Sequence, residues 1–223
     1  MMPFPGGIES QSNGTLALSV VAALYYLYLL DRPASWRRTA VKTAAVSLLA
    51  VLVFLERGPW PLTLGLIACA AGDALLSRDG QRTFLGGLGA FLIGHLLYAG
   101  LFFTAGSPNL LVSEPWRLLV AGIATVFAGF MVQKLRPALD ASMRLPVTAY
   151  IAAILAMAVS ALTVGGTWIA AGAVLFMASD AILATERFLL SPMSSAARII
   201  RPAVWILYYL AQTAIVLGAI YAG

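Results

Sequence analysis

Long apolar runs separated by short polar or basic segments dominate the pattern of this 223-residue chain. Eight runs of about 16 to 23 residues are continuous, without the alternation of a strand, and a helix needs roughly 20 residues to cross a bilayer. Their approximate limits are 14–30, 40–55, 61–77, 83–105, 115–133, 145–163, 167–189 and 202–222. The pattern predicts an all-α, polytopic membrane protein with eight transmembrane helices.

Composition supports this class, because 61% of the residues are hydrophobic, 10% are charged and the mean hydropathy is +0.91. Soluble domains carry about 25% charged residues. Residues 1–13 are polar and rich in Gly, Pro and Ser, and no secretory signal peptide is evident. We therefore expect a flexible N-terminal tail at 1–13 and a single eight-helix transmembrane domain at 14–223.

The basic residues indicate orientation. Twelve of the 14 Lys and Arg residues lie in or beside the odd-numbered connections, and only Arg57 and Arg117 lie in the even ones. By the positive-inside rule, the odd connections are cytoplasmic and both termini are outside. The basic residues behind the net charge of +5 therefore set the membrane orientation and contact lipid headgroups. No nucleic acid partner is expected.

Two stretches place a carboxylate inside apolar runs. Asp73 lies in Ala71–Ser77 and Asp180 lies in Ala178–Ala184, and the two windows agree at four of seven positions. A carboxylate in hydrocarbon is costly and usually functional, although each acid could instead be a packing residue or a partner of Lys42. The acids are 107 residues apart, which motivates a hypothesis of two four-helix halves in parallel repeat.

Other polar residues are predicted at a similar depth. His95 and Tyr98 share a helix face, as do Trp205, Tyr208, Tyr209 and Gln212, while Lys42 begins the second run. These groups could also be packing or snorkelling residues. Gly86, Ala90 and Gly94 form a small-residue stripe suited to close helix packing. One His and one Cys, Cys69, cannot build a His/Cys metal site, although carboxylates could still hold a hard cation. We expect no metal and no cofactor, and we expect Cys69 to pack in the core.

Four ordered motifs together resemble the YhhN/TMEM86 family of integral membrane proteins. They are Gly-Asp-x-Leu-Leu at 72–76, the segment 84–98 with its Gly-His-Leu-Leu-Tyr ending, 172–184 around Ser-Asp, and Tyr-Tyr-Leu-Ala-Gln at 208–212. The resemblance implies eight membrane helices and hydrolysis of the vinyl ether bond of lysoplasmalogens, which are lysophospholipids of the bilayer. We expect the protein to lie in the bacterial inner (cytoplasmic) membrane. The site residues that it implies are Lys42, Asp73, His95, Tyr98, Ser179, Asp180, Tyr209 and Gln212.

The residues suit this chemistry, because vinyl ether hydrolysis needs an acid and a carboxylate. We expect Asp73 and Asp180 to be this pair, with their roles left open. His95 or Tyr98 would position water or the ether oxygen, and Lys42 or nearby arginines would receive the phosphate. The alternatives are a membrane transporter or lipid-binding protein that uses the acids for proton coupling, and a structural or partner-binding membrane protein.

Overall fold

The structure, a computed structural model, describes residues 3–191 and 194–221, and the regular structure in these residues is helical. The ends of the predicted tail and domain, residues 1–2 and 222–223, lie outside the described residues, as do residues 192–193. The helices are α1 Gln11–Leu29, α2 Trp36–Leu55, α3 Trp60–Leu76, α4 Gln81–Ala105, α5 Asn109–Ser113, α6 Pro115–Leu135, α7 Ala141–Ala161, α8 Trp168–Leu189 and α9 Ala197–Tyr221.

Eight long helices correspond to the eight apolar runs, and the five-residue helix α5 was not predicted. Seven of the described helices are long and apolar enough to cross a membrane, while α3, with 17 residues, is shorter. Helices α7 and α9 begin four or five residues before the predicted runs, so Pro146 and Pro202 lie inside them. The ends of a helix are set by its backbone hydrogen bonds, which continue into polar residues. A hydropathy pattern marks only the apolar part of a helix, so the predicted runs begin later than the helices.

The chain divides into two compact units, residues 3–97 with 219–221, and residues 98–218. In the first unit, α2 packs against both α1 and α3, and the Ser19 hydroxyl donates to the Ala45 carbonyl at 2.6 Å. Helix α4 approaches α3 closely at glycines. A Cβ added to Gly94 would lie 2.7 Å from the Cys69 sulfur and 3.2 Å from the Gly65 carbonyl oxygen. The stripe residue Gly94 and the buried Cys69 are therefore packing residues, as expected.

A tight turn joins α2 to α3. Arg57 has a positive φ of 53°, and the Gly58 amide donates to the Val53 carbonyl at 2.8 Å, a pattern typical of a Schellman helix end. Pro59 then caps α3 and Pro61 lies in its first turn, where a missing amide hydrogen costs nothing.

The segment before α1, predicted as a flexible tail, carries specific contacts. The Asn13 amide donates to the carbonyls of Phe4 and Gly7 at 2.7 and 2.8 Å, and its oxygen accepts from the Phe4 amide at 3.0 Å. Phe4 is buried, and Ser12 hydrogen bonds to Glu56 after α2. Residues 3–10 are thus bonded to the first helix, which begins at Gln11 rather than at residue 14.

In the second unit, α7 packs against α6 and α8, and α8 approaches α9 closely. A Cβ added to Gly172 would lie 2.7 Å from a side-chain carbon of Ile215 and 2.8 Å from the Ala211 carbonyl oxygen. Because backbone cannot move aside cheaply, glycine is required at position 172 for this helix contact.

Arg117 holds the connection between α7 and α8. Its side chain is 1% exposed, and it donates to the carbonyls of Leu162, Val164 and Gly166 at 2.9, 2.8 and 3.1 Å. Its Nε donates to Glu114 at 3.0 Å. The sequence pattern places Arg117 in a polar connection, whereas in the structure it is buried and donates to carbonyls that follow α7.

We expect Arg117→Lys to lower the melting temperature in detergent by several degrees. The lysine ammonium keeps the positive charge but cannot reproduce the planar arrangement of N–H donors in the guanidinium. Each buried carbonyl oxygen that loses its donor destabilises the folded state by about 1–3 kcal/mol. Arg136→Lys, at an exposed position, is the matched control. Equal melting temperatures for the two variants would contradict the role assigned to Arg117.

The same cluster predicts a pH dependence. A hydrogen bond from Arg117, the largest effect, and a second from Trp116 hold the pKa of Glu114 below its usual range. A lowered pKa in the folded state adds stability above the unfolded pKa, and this contribution is lost as the pH falls through the folded pKa. The stability difference between wild type and Glu114→Gln should therefore shrink in acid.

Candidate active site

Lys42 and Asp73 form an ion pair inside the first unit. The ammonium lies 3.0 Å from Asp73 Oδ1, and the side chains of Lys42 and Asp73 are 13% and 1% exposed. Lys42 also lies 5.6 Å from the centre of the Tyr26 ring. An ammonium at this distance in a low-dielectric interior stabilises the carboxylate form of the acid. Both residues were predicted site residues, and the structure joins them.

A buried hydrogen bond lies beside this ion pair and joins the same helices. The hydroxyls of Thr39 on α2 and Ser77 after α3 are 2.7 Å apart. Thr39 lies three residues before Lys42, and Ser77 four residues after Asp73. The two contacts together set the register of α2 against α3.

Asp180 accepts a hydrogen bond from a residue that sequence reasoning missed. The Tyr150 hydroxyl of α7 donates to Asp180 Oδ2 of α8 at 2.8 Å, and both side chains are buried. Tyr150 lies in an apolar run and resembles a packing aromatic. The available signal was its hydroxyl, because a buried Tyr usually finds a hydrogen-bond partner.

Ser179 and the tyrosines of α9 lie at the contact between α8 and α9. The Ser179 hydroxyl donates to the Val204 carbonyl at 2.9 Å. The Tyr208 ring meets Phe176 edge-on at 5.2 Å between centroids, and Trp205 packs against both Tyr208 and Tyr209. In this structure the Ser179 hydroxyl therefore joins helices.

His95 is fully buried on α4. Its Nδ1 lies 2.7 Å from the Phe91 carbonyl oxygen. Since a carbonyl oxygen only accepts, Nδ1 carries the hydrogen, and Nε2 is the basic nitrogen of the neutral ring.

Tyr98 and Gln212, two predicted site residues, form a hydrogen-bonded pair in the second unit. The Tyr98 hydroxyl donates to Gln212 Oε1 at 2.8 Å, and both side chains are fully buried. Gln212 Nε2 has no hydrogen-bond partner among the described residues. A buried amide donor of this kind can bind an oxygen atom of a ligand.

A similar contact to an aspartate occurs in each of the two units. In the first unit, Lys42 of α2 contacts Asp73 of α3. In the second unit, Tyr150 of α7 donates to Asp180 of α8. In both, the donor lies on the helix that directly precedes the helix of the aspartate. Every buried residue of α3 has a buried counterpart 107 positions later in α8. These residues of α3 are Leu62, Gly65, Leu66, Cys69, Ala70, Gly72 and Asp73.

Among the described residues, no group of three or more His, Cys, Asp or Glu side chains could hold a metal ion. The first unit contributes the Lys42–Asp73 ion pair and His95. The second unit contributes the Tyr150–Asp180 and Tyr98–Gln212 hydrogen bonds. These groups can transfer protons and bind oxygen atoms.

The apolar helices define a multi-pass integral membrane protein, and comparison with known proteins gives its family. A model of the YhhN family matches residues 37–219, so the chain belongs to the YhhN family. Human "Lysoplasmalogenase TMEM86B" is 32% identical over 203 residues, which cover 88% of this chain and 81% of that protein. A Mycobacterium bovis protein named "Lysoplasmalogenase" is 36% identical over 135 residues, which cover 58% of this chain and 50% of that protein. No solved structure matches the chain.

We expect Lys42→Met to lower the free energy of unfolding by about 3–5 kcal/mol, because a buried carboxylate loses its ammonium. Lys42→Met combined with Asp73→Asn should cost less than the sum of the single variants. A double-mutant cycle of unfolding in detergent measures the coupling. Lys134→Met, at an exposed position, is the control, and strictly additive effects would contradict the ion pair.

Proposed function

We propose that this protein is a lysoplasmalogenase, an alkenyl ether hydrolase that converts lysoplasmalogen to a fatty aldehyde and glycerophosphoethanolamine or glycerophosphocholine. One observation carries the proposal. The family match over residues 37–219 spans the candidate residues from Lys42 to Gln212, and relatives that align over most of the chain are named lysoplasmalogenases. The substrate comes from the bilayer in which the protein lies.

The reaction requires proton transfers that two carboxyl groups can perform. An acid protonates the alkene carbon that is not bonded to the ether oxygen. The product is an oxocarbenium ion, whose positive charge is shared between the other alkene carbon and the ether oxygen. A carboxylate takes a proton as water attacks that carbon and forms a hemiacetal. This proton then passes to the departing glycerol oxygen, and the hemiacetal hydroxyl returns a proton to the first acid. The products are an aldehyde and an alcohol, and both carboxyl groups regain their starting states.

We assign the acid to Asp180 and the carboxylate to Asp73. Lys42 lies 3.0 Å from Asp73 and favours its ionised form, which suits the acceptance of a proton from water and the stabilisation of a cation. The proton that is transferred to the alkene carbon must then come from Asp180. Tyr150 orients Asp180 through a neutral phenol, a contact compatible with either protonation state.

The remaining predicted residues have positioning roles in this proposal. His95 positions water or the ether oxygen, and the Gln212 amide, oriented by Tyr98, donates to an oxygen of the substrate. Tyr208 and Tyr209 supply apolar ring surface for the alkenyl chain. Ser179 supports Asp180 from the adjacent position by bonding to Val204.

We further propose eight membrane crossings, both termini outside, and a location in the bacterial inner membrane. Helix α3 supports the count, because 17 residues give about 26 Å at 1.5 Å per residue, close to the hydrocarbon thickness. The matched burial of α3 and α8 supports a parallel repeat of two four-helix halves.

The wild-type protein in detergent should release aldehyde from alkenyl-glycerophosphoethanolamine and leave the ester lysolipid intact. Asp73→Asn and Asp180→Asn should each lower kcat by about 10²–10⁴-fold, because general acid–base catalysis supplies a factor of this size. Asp79→Asn, exposed after α3, is the control. Full activity in both active-site variants would refute the assignment. Absence of aldehyde with wild type, together with proton-coupled uptake into proteoliposomes, would favour a transporter.

Tyr150→Phe should lower kcat by about 10-fold or more and leave KM nearly unchanged, because it removes one hydrogen bond to an acid and keeps the ring. Steady-state kinetics separate these effects. Tyr28→Phe, with an exposed hydroxyl-bearing ring, is the control. A rise in KM without a change in kcat would contradict a positioning role toward Asp180.

A further inference from the structure

Arg38 differs from the other arginines near the start of α2. Its Nη1 donates to the Arg32 carbonyl at 3.0 Å, and its buried Nε has no hydrogen-bond partner among the described residues. Arg37 is exposed and donates to the Tyr25 hydroxyl at 3.0 Å. A buried guanidinium donor without an acceptor is costly unless a ligand supplies one.

Arg38 lies one helical turn before Lys42, so their side chains are neighbours on α2. Lys42 is neutralised by Asp73 at 3.0 Å. Arg38, Lys42 and Asp73 together therefore carry one net positive charge, and Arg38 supplies it. An anion beside Arg38 would neutralise the group, and a guanidinium binds phosphate oxygens especially well.

The spacing matches a lysophospholipid. Four residues along a helix rise about 6 Å. In the substrate, five covalent bonds separate the vinyl ether oxygen from phosphorus, which is about 6 Å in an extended conformation. A vinyl ether at the level of Asp73 and Lys42 would therefore place its phosphate at the level of Arg38, toward the end of α2 that bears the basic connection.

We infer that Arg38 binds the phosphate diester of the lysophospholipid substrate, with its free Nε as one donor. This inference rests on the proposed function and identifies the group that distinguishes a lysophospholipid from an alkenylglycerol. The same chemistry would also recognise inorganic phosphate or an anionic bilayer lipid, and the experiment separates these sources.

The test compares Arg38→Gln with Arg37→Gln, a neighbouring substitution with the same change in charge. Arg38→Gln should raise KM for alkenyl-glycerophosphoethanolamine by about 10-fold to 100-fold, the value of a charged hydrogen bond. Its kcat/KM for 1-O-alkenylglycerol, which lacks phosphate, should stay within about twofold of wild type. Arg37→Gln should behave as wild type with both substrates, and Arg38→Lys should recover part of the loss.

Equal losses on both substrates, or no loss on either, would overturn the inference. Competition separates the sources: inhibition of wild type by inorganic phosphate or phosphatidylglycerol as strong as that by glycerophosphoethanolamine would overturn the assignment to the substrate.

A binding measurement distinguishes failure of this inference from failure of the proposed function. The saturated alkyl ether lysolipid cannot be hydrolysed and should raise the melting temperature of wild type and Arg37→Gln, but not of Arg38→Gln. If wild type releases no aldehyde, the proposed function fails, and this measurement still decides whether Arg38 binds the phosphate. Equal shifts in all three proteins would overturn the inference.

Discussion

The structure depends on the cost of placing a carboxylate in a low-dielectric interior. A buried carboxyl group needs a donor, and within hydrocarbon that donor must come from another part of the protein. Asp73 receives an ammonium from α2, and Asp180 receives a phenol from α7. Each acid therefore fixes the rotation of its own helix and the position of the preceding one.

Small residues next to the acids contact a second neighbouring helix in each case. Gly72 precedes Asp73 and packs against the Phe91 ring of α4, with a built Cβ only 2.6 Å from it. Ser179 precedes Asp180 and bonds to the backbone of α9. The acid faces one neighbour and the small residue faces the other, so α3 and α8 are each held from two sides.

Hydropathy predicted the long helices because a membrane requires about 20 apolar residues per crossing. The two acids stood out as carboxylates within apolar runs, and helix-face spacing and the family motifs added Lys42, Tyr98 and Gln212 as separate candidates. Hydropathy could not predict Tyr150, because a tyrosine in an apolar run has the same pattern whether it packs or donates. Nor could it distinguish the buried Arg117 from an exposed loop arginine, since its partners are backbone carbonyls with no sequence signature.

The glycine contacts have a consequence for how a lipid can move. A hydrocarbon chain needs about 3.5–4 Å to carbon atoms on each side. At Gly172 even one added carbon would lie 2.8 Å from the backbone of α9, and at Gly94 it would lie 2.7 Å from Cys69. The contacts between α3 and α4 at Gly94 and between α8 and α9 at Gly172 are therefore too close to admit a hydrocarbon chain at these levels.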